Sequence, residues 1–333
     1  MTQFAKLPVV DNAQKSPRRV GYELEFAQIE LKTVAQILSE TLKGEIERKS
    51  EAEWLVDSEL GPFIVELDWS TGKAAARERA KQIEDEDDPL AEWLTKLAGQ
   101  LVPVEIVCPP IPVDKIELLD PVIERLRDEG AVGTEQSVVY AFGLHINVEL
   151  PDEQASTIAR YIQAYALCQD WLVQRHNVDL VRRVTPYINL YPQEYVEQVL
   201  KYDESISMEQ LIDDYLEHNP TRNRALDMLP IFKHFDEDKI VSTLDDARIN
   251  ARPAFHYRMP NCEIEQPGWG LAQAWNIWCV IETLTCEPEI LADIAAQWTE
   301  HADSMIPFQD QAWHATLDQI LDQINKSGKF SSL

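Results

Sequence analysis

Several apolar runs in this chain carry a charged side chain at every second position, and that period of two most constrains the fold. "GYELEFAQIE" (21–30) sets Glu23 and Glu25 on one face of a strand, with Leu24 and Phe26 on the other. "PFIVELDWS" pairs Glu66 with Asp68, and "LVPVEIVCPP" sets Glu105 against Val104 and Ile106. "GLHINVEL" aligns His145, Asn147 and Glu149, and "ARPAFHYRMP" gathers Arg252, His256 and Arg258 opposite Phe255 and Tyr257. Each segment reads as a strand with one greasy face and one polar face.

Like charges side by side on a strand repel. Either the polar face looks at water, or something positive sits between the glutamates. An antiparallel sheet often has one solvated face, but such a face mixes in Lys, Thr, Ser and Gln. Here Glu, Asp, His, Asn and Arg dominate and Lys is absent from the strands, so the face is expected to line a concave site.

Between the strands, apolar spacing predicts helices over 31–43, from about Thr71, over 89–99 and over 114–129, the last with Asp114 as N-cap. Glu59-Leu60-Gly61 marks a turn between antiparallel strands. Beyond Pro151 helices dominate, at 152–175, 192–201, 207–217, 268–286, 288–301 and 309–325, interrupted by one strand over 247–259. Strands first, then helices with one returning strand, predict an α+β fold on an antiparallel sheet. Residues 1–17 read as a polar leader that becomes ordered only near the first strand, and the late strand is expected to rejoin the early sheet.

Acidic residues outnumber basic ones 58 to 30 in 333 residues, a formal charge of −28 that repels nucleic acids and anionic membranes. Five cysteines without a C-x-x-C pair argue against a disulfide framework or a zinc ribbon. The N-terminus lacks the apolar core of a secretory signal, so a cytoplasmic protein is expected.

Hard oxygen ligands with one or two histidines suit Mg²⁺ or Mn²⁺. Two such ions would neutralise four carboxylates, and Arg252 and Arg258 would add donors for phosphate oxygens. Carboxylates, metal and arginines together are the apparatus of phosphoryl transfer from a nucleotide. Neither G-x-x-x-x-G-K-[ST] nor G-x-G-x-x-G occurs. "EDEDD" lacks calcium-loop spacing and reads as a solvated loop.

The ordered set G-Y-E-L-E-F, V-E-L-D-W, V-E-I-V-C-P-P, G-L-H-I-N-V, N-P-T-R-N-R-A-L-D and R-P-A-F-H-Y-R-M-P resembles the amidoligase family. Its members are carboxylate–amine ligases of the glutamine synthetase and glutamate–cysteine ligase superfamily. The likeness covers roughly residues 18–285. It implies a curved, glutamine synthetase-like antiparallel sheet holding ATP and magnesium, with helices on its outer face and a helical C-terminal half. The implied organisation is a catalytic domain over 18–286, with a helical insertion at about 152–245 and a C-terminal extension over 287–333.

By the same resemblance Glu25, Glu66 and Glu105 hold one metal, and Glu23 and His145 the second. Arg258 meets the transferred phosphate with Arg252 assisting. Asn147, Arg222 and His256 fall on the cofactor side. Apart from the resemblance, Asp68 is expected, as an acidic side chain of the same face, to accept the proton of the incoming amine. Two positions depart from glutamine synthetases: His256 stands where they carry a glutamate, and Asn147 where they carry a second histidine. The implied substrates are small-molecule or peptide carboxylates and amines, and an oligomer is possible. A catalytically inactive nucleotide- or peptide-binding scaffold and a metal-dependent hydrolase are the alternative readings.

Overall fold

The computed structural model describes residues 2–67, 103–134, 142–178, 182, 188–244, 246–302 and 311–326. Among them, nine strands form one open sheet. In chain order these are β1 (Arg19–Phe26), β2 (Glu45–Arg48), β3 (Glu53–Ser58), β4 (Gly61–Leu67), β5 (Val104–Val107), β6 (Ile111–Pro112), β7 (Leu144–Val148), β8 (Leu226–Asp227) and β9 (His256–Tyr257). Their order across the sheet is β2-β3-β4-β5-β1-β7-β9-β8, with β6 pairing β1. Every pairing is antiparallel. The expected α+β class and antiparallel sheet are observed, and the late strand does rejoin the sheet, through Ile146 opposite Tyr257.

Alternation sorts the faces as the sequence demands. Tyr22, Leu24, Phe26, Phe63, Val65, Val104, Ile106, Leu144, Ile146 and Val148 are all buried. Helix α1 (Leu31–Leu42) lies against β2–β4, and α2 (Asp120–Asp128) packs on α1. Further along, α3 (Ala155–Arg175) and α8 (Leu271–Thr285) pack on each other and send aromatics onto β9. Tyr161 and Trp278 contact Phe255, while Tyr165 and Trp278 contact Tyr257. Helices α4 (Gln193–Val199), α5 (Met208–His218), α6 (Leu229–Phe235), α7 (Glu237–Thr243), α9 (Pro288–Ala302) and α10 (Gln311–Lys326) complete the described elements. No helix among the described residues is long and apolar enough to cross a membrane.

Three expectations change. The helix foreseen over 114–129 is a 3-10 turn at Val113–Leu119 followed by α2, and Asp114 does not cap it. Pro121 has no N–H to continue a helix from before it, but it fits the first turn of a new one. The strand foreseen over 247–259 shrinks to His256–Tyr257, because Pro253 and Pro260 lack the N–H a ladder needs. Short elements β8, α6 and α7 were not foreseen.

The N-terminal leader is seated. Asn276 accepts from the N–H of Ala5 (2.8 Å) and donates to the Gln3 carbonyl (2.9 Å), while Trp275 Nε1 donates to the Ala5 carbonyl (2.8 Å). Both side chains belong to α8, so the segment is tied to the helical layer. At the β3–β4 turn, Gly61 has φ +112°, a conformation that side chains with a Cβ rarely adopt.

Candidate functional site

Register brings the foreseen residues together on the face away from the aromatic layer. Glu66 stands opposite Glu105, and Glu105 opposite Glu25, so three carboxylates lie abreast on β4, β5 and β1. Glu53 of β3, opposite Glu66, adds a fourth that the sequence reading missed, although it too sits in an alternating strand. Glu25 is 7% exposed and accepts from the Gly143 N–H at 2.8 Å.

Two residues back along β1, about 7 Å away, a second polar group forms around Glu23. His145 stands opposite it in register, and the imidazole Nδ1 lies 2.7 Å from Glu23 Oε2. Asn147 Nδ2 donates to Glu23 Oε1 at 2.9 Å, and Arg252 Nη2 donates to Asn147 Oδ1 at 2.8 Å. Arg252 Nη2 also comes within 3.8 Å of Glu23 Oε1. Asn147 thus bridges Glu23 and Arg252 through its side-chain amide.

His256 joins the same group. Its Nε2 is 3.7 Å from Glu23 Oε2, and its Nδ1 is 3.3 Å from Asp227 Oδ2. Glu23, His145 and His256 each offer a ligand atom within 4.8 Å of the others'. The resemblance put His256 on the cofactor side; the geometry sets it beside Glu23 and His145 as a third candidate ligand. Asp227, 2% exposed, was not foreseen as a site residue, although it ends the "NPTRNRALD" motif. It is held by the Leu229 N–H at 3.0 Å.

Electrostatics follow from burial and proximity. Burial favours protonation of Glu23, but the two imidazoles outweigh it and hold its carboxyl well below the usual range. Burial pushes the His145 imidazole down against the pull of Glu23, with Arg258 and His256 adding to the effect. His145 is therefore neutral, and because the carboxylate can only accept, its Nδ1 carries the proton of the 2.7 Å hydrogen bond to Glu23.

Guanidiniums collect on the β9 side. Arg258 is 9% exposed, and its Nη1 donates to the Arg222 carbonyl at 2.6 Å. Burial, then the nearness of Arg258 and Arg248, lowers the Arg222 pKa against Asp227 and Asp246. In a chain of strongly negative charge this cluster is a local concentration of positive charge. Arg182, another residue the sequence reading passed over, is 5% exposed. It donates to the carbonyls of Arg258 (2.7 Å), Met259 (2.8 Å) and Pro260 (2.6 Å), and so fixes the chain leaving β9. Nothing in "DLVRRVTP" distinguishes it from a surface arginine. A Cβ on Gly143 would lie 3.0 Å from Arg182 Nη2, 3.1 Å from His145 Nε2 and 3.4 Å from Glu25 Oε2. The two ends of the site thus meet where the chain has no side chain. Asp68 lies outside the described residues.

Among the described residues, the buried side-chain atoms without a hydrogen-bond partner include Arg252 Nε, His256 Nε2 and Arg258 Nε. All three belong to this face. An unsatisfied buried polar atom costs about 1–3 kcal/mol, so their clustering fits a bound cation and anion. No curated protein and no solved structure matches the chain. A family model described as "putative amidoligase enzyme" matches residues 16–280, most of the length. On that match the chain belongs to the amidoligase family.

Proposed function

We propose that the chain is an ATP- and Mg²⁺-dependent carboxylate–amine ligase with a glutamine synthetase-like catalytic sheet. It joins its substrates through an acyl phosphate. Family membership supports the ligase class. The observation that carries the finer reading is the convergence of the Glu25–Glu105–Glu66 row and the Glu23–His145–His256 group on one face, with Arg252 beside Glu23, Arg258 beside His145 and Arg222 near Arg258.

Glu25, Glu66 and Glu105 would hold one divalent ion, and Glu23 with His145 and His256 a second. Divalent ions at these positions would supply charge neutralisation for the triphosphate and a template for in-line transfer. Arg258 and Arg252 bind the γ-phosphoryl oxygens and steady the charge that develops as it moves to the substrate carboxylate. Arg222 deepens the same anion seat. Asn147 keeps Glu23 and Arg252 in fixed relation, so the carboxylate does not collapse onto the guanidinium. The substrate carboxylate attacks phosphorus and ADP leaves. The amine then attacks the acyl carbon, phosphate leaves, and Asp68, assigned on sequence grounds, takes the amine proton.

Phosphate release from ATP over panels of carboxylates and amines tests this directly. The expected result is release that needs both partners and yields an amide. Release without any amine would favour a hydrolase, and nucleotide binding without release a scaffold.

A further inference from the structure

We infer that the Glu23–His145–His256 group is a site for a first-row transition dication in preference to Mg²⁺, while the all-carboxylate row keeps Mg²⁺. This rests on the reading of the polar face as a cation-binding face and adds which ion each end selects.

The geometry is that of a prepared nitrogen ligand. His256 is 5% exposed and its Nε2 has no hydrogen-bond partner, yet it lies 3.7 Å from Glu23 Oε2. Two atoms ligating one ion at about 2.1 Å lie roughly 3.0–3.4 Å apart. The His256–Glu23 separation of 3.7 Å is close to that distance, whereas the 2.7 Å His145–Glu23 contact is a hydrogen bond that an entering cation would replace. Behind His256, Asp227 Oδ2 faces Nδ1 at 3.3 Å, which puts the proton on Nδ1 and the lone pair on Nε2, toward Glu23. A carboxylate behind a histidine is the arrangement that orients and strengthens a metal-ligating imidazole.

Donor chemistry then decides the ion. Mg²⁺ dehydrates reluctantly and is held by oxygen, whereas imidazole suits the later first-row ions. Two imidazoles and one carboxylate make a nitrogen-rich set, and Glu25, Glu105 and Glu66 an all-oxygen one. The two ends of one sheet face should therefore sort cations by softness.

The test uses the full chain stripped of metal. Co²⁺ is titrated in with Mg²⁺ in large excess and followed by its visible absorption. The wild type should retain one Co²⁺ per chain against the excess, with a spectrum of nitrogen ligation. His256→Glu should let Mg²⁺ displace that Co²⁺ and shift the bands toward all-oxygen ligation. Asp227→Asn should weaken Co²⁺ binding by about 10–100-fold. Ready displacement of Co²⁺ by Mg²⁺ in the wild type, or an unchanged preference in His256→Glu, overturns the inference and leaves the ligase reading standing. Failure of any divalent ion to bind removes both.

Discussion

Two clusters of buried polar groups lie on this sheet, and they are built to opposite ends. Beneath the helices, Arg18 and Glu282 form an ion pair with both side chains 0% exposed, joined through two hydrogen bonds of 2.8 and 2.9 Å. Tyr161 and Trp278 donate to the same carboxylate, and the carbonyls of Val9 and Glu149 take the remaining Arg18 donors. Although burial opposes the charge, Glu282 holds the Arg18 pKa above its ordinary value. On the polar face, the group around Glu23 leaves His256 Nε2, Arg252 Nε and Arg258 Nε without partners. Closed networks serve the fold; an open one persists where an occupant completes it. The difference separates what holds the chain together from what the chain does.

The largest expected effect falls on the open side. Glu25→Gln keeps an acceptor for the Gly143 N–H but removes the charge that a cation requires. Phosphate release should fall on the order of 10³-fold, about 4 kcal/mol of barrier, with the thermal midpoint little changed. A matching loss of midpoint would erase the contrast.

Breaking the closed cluster should do the reverse. Glu282→Ala strands the Arg18 guanidinium in the core and should cost about 3–4 kcal/mol of stability. Activity per folded molecule should stay near wild type, measured as kcat after denaturant-derived correction for the unfolded fraction. Substituting Arg18 and Glu282 together by Met should recover most of that stability, since no charge is then left unpaired.

A smaller loss is expected at the anion seat. Arg258→Lys keeps a positive charge but not the fork of donors, and should lower kcat about 10²-fold. Mn²⁺ binding at the Glu23 end should be unaffected. Loss of metal as well would mean that Arg258 shapes the metal site rather than meeting phosphate.

A separate effect is confined to acid. His176 Nε2 lies 2.7 Å from the Tyr257 hydroxyl, and burial, with Arg182 adding to it, pushes the imidazole from 6.5 down to about 3. Between those values the unfolded chain takes a proton that the folded chain refuses, so stability falls as pH drops through that window. His176→Gln should flatten this acid limb without altering activity at neutral pH. Urea midpoints measured from pH 7 to pH 4 would show it.

Legibility in the sequence followed the same divide. The row Glu25–Glu105–Glu66 was readable because alternation fixes a face and the resemblance to the amidoligase family implies which of its carboxylates meet. Glu23 with His145 was readable on the same ground. His256 was found, but as a cofactor neighbour, because sequence order does not say that β9 hydrogen-bonds to β7 and turns His256 toward Glu23. Asp227 sits in a two-residue strand, too short for any period, and only its pairing with His256 across β8 and β9 gives it meaning. Arg182 acts on backbone carbonyls, which carry no sequence signal. The closed cluster was invisible for a different reason. Arg18 and Glu282 are 264 residues apart, and nothing local marks either as buried.

Anomalous scattering from crystals soaked with Mn²⁺ and a non-hydrolysable ATP analogue would test most directly whether this face holds cations against a triphosphate. The account predicts one peak among Glu25, Glu66 and Glu105, a second among Glu23, His145 and His256, and phosphate density reaching Arg258. Nucleotide bound elsewhere, with no peak on this face, would contradict it.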